Sequence, residues 1–153
     1  DITSKPVIPV SASSPGWRLS MDLVPGEKVL GKSLTINGVV YFTSFAPGGA
    51  ADSCTAGKGS NRLYAISLSW GRPVMNGDVI AESEDYDLSD FATDLQTGGI
   101  ASQVYVMSEV EIVTNPDGST KEKIVTRVCS GLECPTNAGS PPPKRTFWTE
   151  EGL

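Results

Sequence analysis

Three cysteines, a row of carboxylates and a complete lack of histidine bound the chemistry open to this chain. Without imidazole it holds no Ser-His-Asp or Cys-His site, no histidine metal ligand and no histidine pH switch. Cys129 and Cys134 are separated by Ser130-Gly131-Leu132-Glu133, a turn-like run in which a short disulfide loop is sterically open if the chain folds back. They form the disulfide candidate. Cys54 is then left as a free thiol, as a partner for one of those two, or as the holder of a partner outside this chain. Three thiols without histidine fall short of the four ligands of a structural zinc site.

The carboxylates Glu82, Glu84, Asp85, Asp87 and Asp90 follow one another with no cation or aromatic cluster in the sequence around them to separate their pKa values, so acid–base catalysis is not expected. Asp85-x-Asp87-x-x-Asp90 offers closely spaced oxygens for calcium but lacks the Asp-x-Asp-x-Asp-Gly loop and its distal Glu. The expectation is no cofactor, with calcium the one metal that has a candidate site. Asn115-Pro116-Asp117-Gly118 is explained by a turn between strands. Gly48-Gly49 and Gly57-x-Gly59 make no phosphate loop, since no Gly-Lys-Ser/Thr and no helix accompany them. Trp17, Trp70 and Trp148 are dispersed and read as packing residues. Trp17 and the pair Phe147-Trp148 are the candidates for docking.

The elements that must position these residues read as mainly β, in antiparallel hairpins and a meander. Residues 1–16 carry Pro6, Pro9 and Pro15 and are expected to be extended, as an edge strand or linker. Residues 17–134 form the β domain. Ser33 to Ile36 runs into Asn37-Gly38, a strong hairpin signal, and then Val39 to Phe45. Val40, Phe42 and Ser44 face one way and Val39, Tyr41, Thr43 and Phe45 the other, so this strand is expected inside a stack of layers. A Gly/Ser/Ala-rich loop, 46–61, precedes a strand from Arg62 to Leu68. One short helix at most is expected near 88–97, with Ser89 as N-cap and Phe91, Ala92 and Leu95 on one side. Gln103 to Val113 and Thr120 to Cys129 form a long hairpin, half buried and half solvated, with Glu109 and Glu111 across from Lys121, Lys123 and Arg127. Residues 135–153 are a Pro-rich tail ending in a docked aromatic segment.

The net charge of −6 opposes nucleic acid as a partner. Residues 73–120 hold 10 acidic and no basic side chains. No run of apolar residues is long enough to span a membrane as a helix. The first residue is Asp1, not Met, which fits a processed secreted protein or an excised fragment.

Gly16-Trp17-Arg18-Leu19, Gly26-Glu27-Lys28-Val29-Leu30, Gly38-Val39-Val40-Tyr41-Phe42-Thr43-Ser44-Phe45-Ala46-Pro47, Cys54 with Gly57 and Gly59, and Leu63-Tyr64-Ala65 follow one another in this order. Together they resemble the last part of PilY-type type IV pilus assembly and tip-adhesin proteins. Gly99-Ile100 and Lys144-Arg145-Thr146-Phe147-Trp148-Thr149-Glu150 extend the likeness to nearly the whole chain. This sequence departs from the family at Ser67, where the "L-Y-A-L-D" strand has Asp, and at Gly57-Lys58-Gly59, where a double Gly is usual.

The resemblance implies an exported, non-enzymatic protein at the cell surface, with a β-propeller fold and a role in pilus assembly, adhesion or surface contact. The family's calcium loop is absent here, so calcium dependence does not carry over. A propeller blade takes about 40–50 residues, and this chain supplies roughly three where a closed ring needs at least about four. A partial, propeller-like fold is therefore expected, completed by a larger chain, by pilin or another pilus protein, or by self-assembly.

Overall fold

The computed structural model describes residues 16–21, 24–48, 57–75, 78–79 and 86–136, and it is mainly β, built from antiparallel sheets. The main sheet holds β1 (Lys28–Val29), β2 (Leu34–Ile36), β3 (Val39–Ala46), β4 (Ser60–Ser67) and β7 (Ala92–Leu95). Its order is β1-β3-β4-β7, and β2 also pairs with β3. Among the described residues there are two further pairs: β5 (Val74–Met75) with β6 (Asp78–Val79), and β8 (Val104–Thr114) with β9 (Thr120–Ser130).

The β2–β3 hairpin follows from its turn chemistry. Ile36 pairs with Val39 across Asn37 and Gly38, whose φ angles are 50° and 77°. Two successive positive φ values make the tight hairpin turn whose twist matches the strands, and Asn-Gly adopts it at least cost. From there β3 pairs with β4 along its whole length, Val39 with Ser67 through Ala46 with Ser60.

Side chains alternate across this sheet as the sequence predicts, and both faces are covered. On one face Val39, Tyr41, Leu63, Ala65 and Leu95 pack with Val74, Val104 and Val128. On the other, Tyr64 and Ile66 pack with Phe91, and Trp17, Leu19, Met21, Phe42, Tyr86 and Ala92 close over them. Phe42 and Tyr64 are cross-strand partners with rings stacked at 4.9 Å. Burial of these large side chains on both faces is the main stabilising contribution.

The helix is shorter than its sequence pattern suggests. Of residues 88–97 only α1 (Leu88–Phe91) is helical, and Ala92–Leu95 becomes β7, paired with Asn61 to Tyr64 of β4. Ser89 lies inside the turn of helix instead of capping it, while the Asp90 carboxylate accepts from the Asp87 N–H at 2.8 Å. The edge of β4 offers partners for backbone groups that a lengthened helix would have satisfied internally, and β-branched Thr93 favours the strand.

The β8–β9 hairpin has the expected turn, and its strands end within one residue of the expected bounds. Gly118 (φ 83°) donates to Asn115 O at 3.0 Å, and Asp117 Oδ1 accepts from Ser119 N at 2.9 Å. Its burial differs from expectation. The sequence pattern predicts one buried face along the full length, but only the base is covered, at Val104, Thr126, Val128, Cys129 and Ser130. Val110, Ile112 and Ile124 are 61%, 71% and 57% exposed. Alternation shows which side chains share a face, whereas coverage depends on how far the neighbouring sheet extends.

Candidate interaction surface

The hairpin is held at its base by polar contacts that converge on the main sheet. Ser102 O accepts from Thr43 Oγ1 at 3.0 Å and from Ser130 Oγ at 2.9 Å. Buried Asn61 donates to Thr97 O and Gly99 O at 2.6 and 2.7 Å and accepts from Ala101 N at 3.2 Å. One β4 side chain thereby shapes the connection into β8. Asn61 sits in a turn-rich run where asparagine has no distinctive signal, so sequence reasoning missed it.

Cys129 and Cys134 are joined, with S–S 2.02 Å, as the sequence suggested. The closed loop turns Glu133 back towards β7. Its carboxylate accepts from Gln96 N at 2.7 Å and from both the amide and the hydroxyl of Thr97. Those hydrogen bonds, the Thr97 hydroxyl first and the Gln96 amide second, hold the Glu133 carboxyl below its ordinary pKa. At the tip of the loop Leu132 is 99% exposed.

Beyond the base, the hairpin has two chemically distinct faces. One carries Glu109, Glu111, Lys121, Lys123 and Arg127, and Arg127 bonds both glutamates, Glu111 at 2.6 Å. The other carries Val110 and Ile124 as a cross-strand pair, with Ile112 opposite Glu122 on the tip side and Ser108 opposite Thr126 on the base side. Ser108 and Thr126 share a hydroxyl contact at 3.3 Å. The two strands pair only with each other in the described sheets, so their outer edges carry no ladder.

A second polar cluster lies inside the fold. The Glu27 side chain is 1% exposed, and its carboxylate accepts from Ser44 Oγ and from Tyr64 OH at 2.9 Å. Arg62 Nη1 lies 3.2 Å from Glu27 Oε2, while Arg62 Nε reaches Asp94 at 3.0 Å. Burial first, and then the Glu27 charge, push the Tyr64 hydroxyl upward in pKa. A carboxylate, a tyrosine, a serine and an arginine could in principle move protons, but solvent does not reach this carboxylate. The arrangement acts as a lock that ties the segment before β1 to β3 and β4.

The other sequence-derived candidates separate. Trp17 is docked on its own fold, donating to Leu68 O at 2.7 Å. Gly71 explains part of that docking, because with φ 63° an added Cβ would lie 2.6 Å from Trp17 Cγ. Trp70, read as a packing residue, is instead 52% exposed beneath the Arg72 guanidinium. Asp87 and Asp90 bond each other across one helical turn, and no metal-holding group of His, Cys, Asp or Glu occurs among the described residues. Asp85, Cys54, Phe147 and Trp148 lie outside the described residues, as do most of 1–16 and of 135–153. At the neck of the 46–61 loop, a Cβ on Gly48 would come within 2.7 Å of Gly59 N, so close backbone approach accounts for these glycines. No helix among the described residues is long and apolar enough to cross a membrane.

No family model matches this chain, and no match was found among curated proteins or solved structures.

Proposed function

We propose that the chain is a non-enzymatic, extracellular component of a type IV pilus system, exported through the periplasm and acting in assembly, adhesion or tip contact by binding other proteins. The observation that carries this reading is the projecting half of β8–β9, where Val110, Ile112 and Ile124 present an uncovered apolar face. A long, exposed strand pair of this kind is a template for association, and natural folds blunt such edges unless they are used. The ordered motifs at Trp17, Glu27, Val39–Pro47 and Leu63-Tyr64-Ala65 supply the pilus assignment. The Cys129–Cys134 bond agrees with an oxidising compartment. On this reading the main sheet is one blade of an open, propeller-like assembly.

A second reading is favoured by the unpaired outer edges of β8 and β9: a structural subunit that completes or decorates a pilin core by strand addition. The test is deletion of the gene in the organism that encodes it, with counts of surface pili and of adherent cells. Loss of either, restored by the wild-type gene, is expected. Unchanged pili and adhesion would overturn the pilus assignment.

A further inference from the structure

The outer edge of β9 already accepts backbone from a third segment at its base. Beyond the turn at Gly131 and Leu132, Glu133 returns antiparallel beside Ser130. Ser130 N donates to Glu133 O at 2.9 Å, and Glu133 N donates to Ser130 O at 3.1 Å. Cys129 and Cys134 come next as a facing, disulfide-linked pair with Cα atoms 4.1 Å apart. The following pair of bonds would need an N–H from Pro135, which has none, so the chain's own pairing stops there. The ladder fixes what the rest of the edge offers. Ser130 spends its N–H and C=O outward, and along an antiparallel strand the bonded side alternates residue by residue. Glu122 and Ile124 therefore turn their backbone groups outward, while those of Lys121, Lys123 and Val125 bond β8. In the described sheets no strand pairs with that distal edge.

Charge selects the occupant of this edge. Arg127 bonds both Glu109 and Glu111 and so takes up the carboxylates of the charged face. Lys121 and Lys123 stand on that face along β9, and among the described residues neither has an ion pair. An incoming antiparallel strand meets these lysines at its non-hydrogen-bonded positions, where Cα atoms approach to about 4.5 Å and side chains are closest. Opposite charges stabilise such a pair and like charges destabilise it. On the other face of the same edge lies Ile124, 57% exposed. The outer edge of β8 offers no comparable selection, because its glutamates are already held by Arg127 and its other face shows Val110 and Ile112.

We propose that the outer edge of β9 from Thr120 to Val125 binds an extended acidic peptide strand of a partner protein, added antiparallel, with carboxylates opposite Lys121 and Lys123 and an apolar side chain opposite Ile124. This rests on the strand-addition reading above and names the edge and the chemistry of its partner. From N- to C-terminus the bound segment runs apolar, acidic, hydroxyl, acidic, the hydroxyl lying beside Glu122. Two exposed ion pairs and a few backbone bonds make a weak contact, with dissociation in the high-micromolar range or above for an isolated peptide.

The probe is the end-capped peptide Val-Ile-Glu-Thr-Glu-Thr, titrated into the isotope-labelled full chain and followed by amide chemical shifts and hydrogen exchange. Near saturation, exchange at the outward amides of Glu122 and Ile124 should slow several-fold, while the amides of Lys121 and Lys123, already bonded to β8, change little. The same peptide with lysine in place of both glutamates should not bind, a control that leaves the protein untouched. Lys121→Gln combined with Lys123→Gln should weaken binding about five-fold, and Ile112→Lys, on β8, should leave it within two-fold. Equal binding of the two peptides, binding without protection at Glu122 and Ile124, or sensitivity to Ile112→Lys alone would overturn the proposal. So would protection of those two amides in the free, dilute chain, which would show the edge filled by the chain itself. No binding by a chain whose gene deletion still abolishes pili would overturn the acidic strand while leaving the pilus reading standing. Binding with pili and adhesion unaffected by deletion would do the reverse.

Discussion

Glu27 is a charged residue that the fold places almost out of solvent, and its partners explain why that is tolerated. Ser44, Tyr64 and Arg62 all turn towards its carboxylate. Removing one partner from such a pair leaves the other charge buried and uncompensated, at a cost of about 3–5 kcal/mol. Arg62 keeps Asp94, which places Glu27→Ala at the lower end of that range. Thermal unfolding should show a midpoint lower by about 6–12 °C for a chain of this size. A second prediction concerns the buried tyrosines. Burial pushes Tyr41 up to about 12 from an ordinary value of 10.0, and Tyr64 rises for the same reason, aided by Glu27. A hydroxyl with a raised folded pKa stabilises the fold fully below its unfolded value, and the contribution is lost as pH climbs towards the folded value. Stability should hold up to about pH 10 and fall between 10 and 12. Tyr41→Phe should flatten part of that fall, as followed by tyrosinate absorbance together with circular dichroism.

At the scale of elements, the disulfide loop fastens the base of the hairpin to the end of β7 through Glu133. Ser130 and Glu133 exchange backbone hydrogen bonds at 2.9 and 3.1 Å inside the loop, and Tyr105 OH donates to Gly131 O at 2.6 Å. With a sequence separation of 5 the closed loop is small, and chain entropy gives the bond about 2 kcal/mol. Cys134→Ser should lower the unfolding free energy by about that amount and weaken the Glu133 clamp on Gln96 and Thr97. Chemical denaturation measures the first effect. Loss of exchange protection at the Gln96 and Thr97 amides reports the second. Unreduced peptide mapping should recover Cys129 and Cys134 as one linked species. The distal hairpin behaves differently, because its side chains are already in water. Lysine at 112 or 124 should alter stability by no more than about 0.5 kcal/mol.

For the whole molecule, the net charge of −6 sets how it meets other proteins. Two like-charged chains repel through water, and salt screens that repulsion over a length of about 10 Å at 0.1 M. Contact of the apolar hairpin face with a likewise acidic partner should therefore strengthen as salt is raised from about 20 to 500 mM. An edge contact built on Glu–Lys pairs would weaken over the same range. Sedimentation at the two salt concentrations separates these outcomes by sign alone.

Much of the fold was legible in the sequence, for identifiable reasons. Asn37-Gly38 and Asn115 to Gly118 carry turn chemistry that acts over a few residues. The alternation in Val39 to Phe45 and in the β8–β9 strands assigns faces by the period of the strand itself. The Cys129–Cys134 pairing was open because its loop is local. What the tertiary structure decided depended on neighbours distant in the chain. Ala92–Leu95 is a strand because the edge of β4 was available to pair with it, and Trp70 stays half exposed with the Arg72 guanidinium over its ring. Glu27 is a buried lock because β3 and β4 bring Ser44, Arg62 and Tyr64 to it. The hairpin face at Val110, Ile112 and Ile124 is uncovered because the main sheet ends beneath Val104 and Val128. Periodicity determines which side chains share a face, whereas burial depends on what packs against that face, and that requires contacts between residues far apart in sequence.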